Sequence, residues 1–304
     1  IDMASMGLNV PEAFVLGYPL FEDVEALAYS CKKENGGLSE GLTKLIKDLL
    51  LELENQCGKQ LGDSTNPLLV SVRSGAPISM PGVMVTILNV GLVPGTIKAL
   101  ARRHGKAFTD VLYRRFLENT ANAIGAWRND SGSFVQRLEE AMDSEKNHLL
   151  ETYLSDILGP DFFTDPMDQL LRCINLVYGS RVSSAVDDFA KTLATSIGSE
   201  TAVTVQRMVF GNLDMDSLSA VVITRDPITG ADELFGEFKQ LAQGEEIVMG
   251  SSLTEPIGKL PPETKQELEV LKARLIARYR QDLDLEFTVE SGRLFLLQTR
   301  AARL

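Results

Sequence analysis

The spacing of hydrophobic residues predicts several amphipathic helices. In residues 39–57 an apolar stripe lies opposite charged positions, and its members are Leu42, Leu45, Ile46, Leu49, Leu50 and Leu53. Another helix is expected after Asp165, a capping residue that Pro166 follows at the first turn. The same period predicts three further helical segments, over 95–159, 181–198 and 261–281.

Continuous or alternating apolar runs predict β-strands in two parts of the chain. A buried strand is expected over residues 67–74, directly before a glycine-rich segment. After Gly198 the period changes, and the strands expected there lie within 201–212, 218–230, 233–238, 282–289 and 293–300. Helices and strands mix without regular alternation, which predicts an α+β fold rather than a doubly wound sheet.

The last two strands are predicted to form a hairpin with polar chemistry on one face. Asp284 and Glu286 alternate with apolar neighbours, and Gln298 and Arg300 share a face of the return strand. A three-residue turn over 290–292, with left-handed Gly292, would bring all four side chains to one surface; a two-residue turn would separate them. Such a surface suits Mg²⁺ and phosphate oxygens. An ordinary solvated hairpin face with one ion pair is the alternative.

A second candidate is the glycine-rich segment "SVRSGAPISMPGVMVTILNVGL", residues 71–92. Glycines let backbone N–H groups approach phosphate closely, and Ser, Thr and Arg73 add donors. The segment contains neither a Walker sequence nor a dinucleotide fingerprint. Taken alone it also fits a plain connection between two elements.

Composition limits the classes of function. The 304 residues carry a formal net charge of −12, which argues against nucleic-acid binding as the main role. The hydrophobic content of 44% is typical of a globular protein. Cys31, Cys57 and Cys173 have no metal-ligand spacing, and His104 and His148 offer little material for a zinc site or a triad. With no apolar run of membrane-spanning length or signal peptide, a cytoplasmic protein is expected.

Five segments follow one another along the chain: "SVRSGAPISMPGVMVTILNVGL", "VQRMVFGN", "TRDPITG", "GEFKQLAQGEEIV" and "LEFTVESGRLFLLQTR". In this order they closely resemble the N-terminal nucleotide-binding domain of pyruvate phosphate dikinase, which is related more distantly to that of phosphoenolpyruvate synthase. The resemblance extends over nearly the whole chain and is loosest in the acidic helical middle. It implies an ATP-grasp fold, with a first lobe of 1–92 plus 165–209, a helical insert of 93–164 and a second lobe of 210–304.

The resemblance also implies a reaction and its partners. The family domain holds ATP between two lobes and passes a phosphoryl group to a His on a swivelling domain, towards pyruvate and phosphoenolpyruvate. ATP and Mg²⁺ are therefore the expected ligands. No nucleic acid or membrane is expected as a partner, and the assembly is left open, with a homodimer as one option.

Site residues follow from the matching motifs. Arg73 and Arg300 are similar to the family's phosphate-binding, catalytic arginines, and residues 74–86 to its mobile cover over the triphosphate. Glu286 and Gln298 match the metal-holding positions. The remaining residues that resemble ATP-binding positions are Gly82, Thr86, Gln206, Met208, Glu237, Gln243, Glu245 and Asp284.

Three departures from the family keep alternatives open. Val85 stands where the family usually has Asp, and Ser217–Ala220 stands where it usually has a Gly-Thr-Gly loop. An essential family Lys is expected upstream of Ile1, and the His-bearing domain beyond Leu304 or on a partner. The alternatives to a dikinase-type phosphotransferase are a degenerate nucleotide-binding regulatory or interaction module, and a related enzyme with another phosphoryl acceptor.

Overall fold

A computed structural model describes residues 2–21, 37–75, 85–128, 143–180, 202–248 and 253–302. The chain divides into two compact units. We call Glu12–Met208 the N-terminal unit, and Ile1–Pro11 together with Val209–Leu304 the C-terminal unit. The predicted helix over 181–198 lies outside the described residues.

The N-terminal unit combines a small sheet with long helices. Its strands are β1 (Ala13–Leu16), β2 (Gln60–Leu61), β3 (Pro67–Leu68), β4 (Val70–Gly75), β5 (Thr86–Val90) and β6 (Ala202–Arg207). Its helices are α2 (Glu40–Cys57), α3 (Pro94–His104), α4 (Lys106–Arg128), α5 (Asp143–Leu158) and α6 (Pro166–Gly179), and a 3₁₀ turn covers Pro160–Phe163. The helix α1 (Asp2–Ser5) precedes this unit.

Local sequence explains where two of these helices begin. The Ser39 hydroxyl accepts a hydrogen bond from the Leu42 amide of α2 at 3.3 Å, and left-handed Gly58 ends that helix. Asp165 caps α6 by accepting from the Met167 amide at 2.8 Å, with Pro166 at the first position. The sequence predictions for both helices are confirmed.

The main sheet of the N-terminal unit has strand order β1-β6-β4-β5, with every neighbouring pair antiparallel. One face carries fully buried valines, and α4 and α6 pack against its strands. Alternation places Ser71, Arg73, Thr86, Thr204 and Gln206 on the other face. This unit therefore has an apolar sheet face towards its helices and a polar face opposite.

The C-terminal unit is built on a five-stranded antiparallel sheet of order β11-β10-β7-β8-β9. Its elements are β7 (Leu218–Ile223), β8 (Phe235–Gln240), α7 (Glu245–Val248), β9 (Glu255–Pro256), a 3₁₀ turn (Ile257–Lys259), α8 (Pro262–Tyr279), β10 (Leu283–Glu290) and β11 (Arg293–Ala301). The helix predicted over 261–281 is α8, and the stripe that its spacing predicts, Leu268, Leu271, Leu275 and Tyr279, packs against the core formed by one sheet face. The polar positions of β10 and β11 lie on the opposite face.

These two units of helix and antiparallel sheet confirm the α+β prediction. The ATP-grasp assignment and the division into two lobes with a helical insert stay predictions. For Ser217–Ala220 the family motif suggested a loop and the apolar pattern a strand. The strand is confirmed, because Leu218–Ala220 begin the central strand β7. There, Ser219 Oγ donates to the Ala242 carbonyl at 2.9 Å.

Candidate functional site

The closing hairpin differs from its predicted turn. Glu290 pairs with Arg293, so the turn has two residues, Ser291 and Gly292. Both have positive φ, 49° and 78°, as a tight I′-type turn requires. The predicted three-residue turn is therefore wrong, although Gly292 is left-handed as expected.

The four polar side chains nevertheless share one face, because a bulge corrects the register. Between Glu286 and Phe287 the pairing shifts by one residue, and Leu297 is the extra residue on β11. Beyond the bulge Asp284 pairs with Arg300, and Glu286 pairs with Gln298. Without the bulge, the two-residue turn would have placed Asp284 and Glu286 on one face of the hairpin and Gln298 and Arg300 on the other.

Arg300 is the centre of this cluster. Its Nη2 donates to Glu286 Oε1 at 2.6 Å and to Gln298 Oε1 at 3.1 Å. Its Nε is buried without a hydrogen-bond partner, and so is Oδ1 of Asp284. Buried polar atoms are rarely left unsatisfied, so these two call for a partner from outside the chain, which water, an ion or a ligand could supply. The cluster thus offers one free donor and one free acceptor.

The charge state of Asp284 reflects the same burial. Loss of hydration raises the pKa of this carboxyl above its ordinary value of 3.8. The positive charge of Arg300 opposes the rise, and the negative charge of Glu286 adds to it. Additional positive charge beside Asp284, from a cation, would remove this penalty.

These residues fit Mg²⁺ when it is held jointly with phosphate. Within the residues that the structure describes, no group of three or more His, Cys, Asp and Glu side chains is placed to hold a metal ion. Mg²⁺ in phosphate-handling sites commonly needs only one or two carboxylates, with substrate oxygens and water completing its octahedron. The orphaned Asp284 oxygen, Glu286 and the Gln298 amide oxygen are ligands of that type.

The sheet face that carries Asp284 and Glu286, called the ligand face below, continues across the sheet to Glu237. Glu286 lies opposite Val221, which lies opposite Glu237, so alternation places both carboxylates on one face. Thr254 Oγ1 donates to Glu237 at 2.5 Å. Gln243, shortly after β8, is buried, and its backbone N–H donates to Glu246 Oε1 at 3.2 Å. The side chain of Glu245 lies outside the described residues.

In the N-terminal unit, Arg73 and Thr86 are brought together as opposite residues of β4 and β5. Arg73 Nε donates to Ser71 Oγ at 3.3 Å. Ser71 in turn lies opposite Gln206, so Arg73 and Gln206 belong to the same polar face. The predicted cover over 74–86 is described only at its ends, and Gly82 lies outside the described residues.

Two features escaped the sequence reasoning. Ser219 Oγ lies 3.0 Å from Thr288 Oγ1 on the ligand face of the C-terminal sheet, which alternation from Glu286 could have indicated. An ion pair joins Arg207 Nε to Glu12 Oε2 at 2.5 Å. Its residues are 195 positions apart, and the sequence holds no signal for their contact.

The closing hairpin thus gathers a guanidinium, two carboxylates and an amide on one sheet face of an α+β protein, a set whose chemistry suits metal-bound phosphates. The family described as "Pyruvate phosphate dikinase, AMP/ATP-binding domain" matches residues 23–257. The chain belongs to this family, which confirms the resemblance read from its motifs.

Curated relatives agree with that assignment. Pyruvate, phosphate dikinase of Rhizobium meliloti (strain 1021) is 33% identical over 337 residues, covering 99% of this chain and 36% of the relative. The chloroplastic enzyme of Flaveria trinervia is 35% identical over 323 residues, covering 99% and 33%. Chloroplastic pyruvate, phosphate dikinase 1 of Arabidopsis thaliana is 35% identical over 321 residues, covering 99% and 32%.

The chain thus spans about a third of the length of these relatives. Among the described residues, no helix is both long and apolar enough to cross a membrane.

Proposed function

We propose that the chain binds Mg-ATP and passes a phosphoryl group to a His, carried by a swivelling domain of the same protein or by a partner. The observation that carries the proposal is the cluster of Asp284, Glu286, Gln298 and Arg300 with its two orphaned buried atoms. Membership of the dikinase family supports it. As in the family, the His would then carry the phosphoryl group to a separate site for pyruvate and phosphoenolpyruvate.

Each residue has a role that its chemistry allows. Glu286 and Gln298 would hold Mg²⁺, which supplies charge neutralisation to the phosphate oxygens. Arg300 and Arg73 would donate to the transferring phosphates, because a guanidinium gives two hydrogen bonds in a fixed plane. Asp284 would contact the bound Mg-ATP through its orphaned Oδ1. Phosphoryl transfer needs mainly such positioning and electrostatic stabilisation from a protein.

The nucleoside would be bound by other residues of the same motifs. Gln206 lies near the end of β6 and Met208 directly follows the strand. The backbone N–H of Met208 donates to the Leu69 carbonyl at 2.9 Å. We assign Gln206 and Met208 to the adenine base. Glu237, Gln243 and Glu245 are proposed to lie near the nucleoside. The corresponding fold is ATP-grasp, with lobes of 1–92 plus 165–209 and 210–304 and a helical insert of 93–164.

A regulatory nucleotide-binding module is the second candidate. Ser219 supports it, because its hydroxyl, bonded to Ala242 and Thr288, occupies space on the sheet face of Glu286 that a glycine would leave to a ligand. Val85, at the described end of the 74–86 segment, adds no polar group. Such a module would bind Mg-ATP without transferring phosphate.

The test compares Arg300→Met with Arg293→Met, a matched change at the far end of β11. Mg-ATP binding is measured by calorimetry, and transfer by label from ATP on a His-bearing domain of a dikinase supplied in trans. We expect Arg300→Met to lower the transfer rate about 100-fold, the usual effect of removing one transition-state donor. Arg293→Met should leave it unchanged.

Wild-type binding without transfer would favour the regulatory module. Absence of Mg-ATP binding by a folded wild-type chain would refute both candidates. An unchanged transfer rate in Arg300→Met would refute the role of Arg300.

A further inference from the structure

The chain passes from one unit to the other at two points, and the residues of the N-terminal unit at these two points are neighbours. One lies between Pro11 and Glu12, and the other between Met208 and Val209. On the N-terminal unit's side, the Arg207 amide donates to the Glu12 carbonyl at 2.9 Å. This bond extends the β1–β6 ladder one step beyond Ala13 and Gln206.

A side-chain ion pair ties the same two residues. Arg207 Nε lies 2.5 Å from Glu12 Oε2, and the Arg207 side chain is only 13% exposed. Cys57, at the end of α2, lies 3.9 Å from the same carboxylate oxygen. Burial, followed by the charge of Glu12, raises the pKa of this thiol to about 11. The Arg207 guanidinium is therefore largely shielded from water, whereas the Glu12 side chain is 36% exposed, so the contact is a partly screened ion pair.

The pair acts on the side of β6 opposite the proposed ligand contacts. Successive residues of a strand alternate in direction, so Arg207 points away from the face that carries Gln206 and Arg73. Arg207 is nevertheless the covalent link between Gln206 and Met208. The strand end is held on both sides: the Met208 amide donates to the Leu69 carbonyl beside β4, and on the β1 side the backbone bond to Glu12 is joined by the ion pair.

We propose that Glu12 is a positioning residue that, through Arg207, holds Gln206 and Met208 in place for the adenine base of ATP. The inference rests on the proposed function and adds to it Glu12, which lies outside the family motifs, and Arg207, to which no site role was assigned. Because the pair lies at the base-contacting strand, its loss should weaken nucleotide binding but not binding of the phosphates alone.

The experiment uses the full chain and two ligands, Mg-ATP and Mg-tripolyphosphate, titrated by calorimetry. The variants are Glu12→Ala, Arg207→Met and the double variant. Asp110→Ala is the control, because Asp110 forms an exposed ion pair with Lys106 in the same unit. Glu12→Gln, which keeps the side-chain shape, replaces Glu12→Ala if that variant does not fold.

Each single variant should raise the Kd for ATP about fivefold, and the double variant no further, because coupled residues lose the same interaction. The Kd for tripolyphosphate should stay within twofold of wild type, as should both constants of Asp110→Ala. A wild-type Kd for ATP in folded Glu12→Ala would overturn the inference, and so would an equal loss for tripolyphosphate. If wild type itself binds neither ligand, the proposed function fails instead.

Discussion

Asp284→Asn should make the free protein more stable while it weakens the proposed ligand site. The carboxyl has a buried oxygen without a hydrogen-bond partner and a raised pKa caused first by burial. An amide of the same shape removes the charge that this environment disfavours. Natural sites often contain such groups at a cost in stability, because they serve binding.

The expected gain follows from the charge, because an amide leaves a polar atom at the same place but has no charge to desolvate. An unsatisfied buried group costs about 1–3 kcal/mol, and more when it is charged. Asp284 is only partly buried, so solvent screening lowers this figure, and the lost attraction to Arg300 lowers it further. We therefore expect Asp284→Asn to raise the free energy of unfolding by about 0.5–1 kcal/mol at neutral pH.

The gain should depend on pH in a defined direction. The folded-state pKa of Asp284 lies above 3.8, so between the two values the folded protein binds more protons than the unfolded chain. Stability then falls as the pH rises through this window, and the penalty is complete above the folded-state pKa. The advantage of Asp284→Asn should thus be full at pH 7.5 and fade towards pH 3.8.

Urea denaturation between pH 3.5 and 8 measures this difference, and calorimetry of Mg-ATP measures the loss of binding, expected to be about tenfold or more. Asp282→Asn is the matched control. Asp282 lies on the same segment and pairs with Arg225 at 2.8 Å, so its change should lower stability and leave Mg-ATP binding intact. A destabilised Asp284→Asn at neutral pH, or an advantage that does not vary with pH, would refute the reasoning.

Two further changes test the sheet that carries the ligand face. Gly236→Ala should destabilise the C-terminal unit by about 2 kcal/mol or more, because a Cβ there would lie 2.2 Å from the Val221 carbonyl oxygen and φ is 152°; a chemical-denaturation midpoint equal to wild type would contradict this. Leu241→Asn should stabilise by about 0.5–1 kcal/mol, since Leu241 is 45% exposed with φ 55°, a conformation that asparagine tolerates better. A lower thermal midpoint in Leu241→Asn would count against that assignment.

The closing hairpin shows how far local patterns reach. Alternation correctly predicted that Asp284 and Glu286 share one face of β10 and that Gln298 and Arg300 share one face of β11. The turn prediction was wrong, since 290–292 fits two turn lengths and the bulge at Leu297 has no local signature. The shorter turn and the extra residue on β11 each shift the register by one, so together they return all four side chains to one face. This outcome can be seen only in the pairing of the two strands.

At Ser217–Ala220 the local pattern predicted the structure better than the comparison with the family motif did. Comparison with the family motif favoured a loop, whereas the apolar alternation of 218–223 already indicated a strand. Tertiary pairing with β8 and β10 decided the matter, because a central strand has both of its backbone edges satisfied by neighbours. The roles of the individual site residues stay predictions.

The sequence by itself determined the α+β class, the capped helices α2 and α6, the buried stripe of α8 and the family. Those properties follow from short-range periodicity, capping chemistry and motifs that stay legible along the chain. Only the tertiary structure decided the hairpin register, the orphaned atoms of Asp284 and Arg300, and the pair of Glu12 with Arg207. These depend on which residues meet across strands far apart in sequence, and the free energy of such contacts is set by the three-dimensional burial that surrounds them.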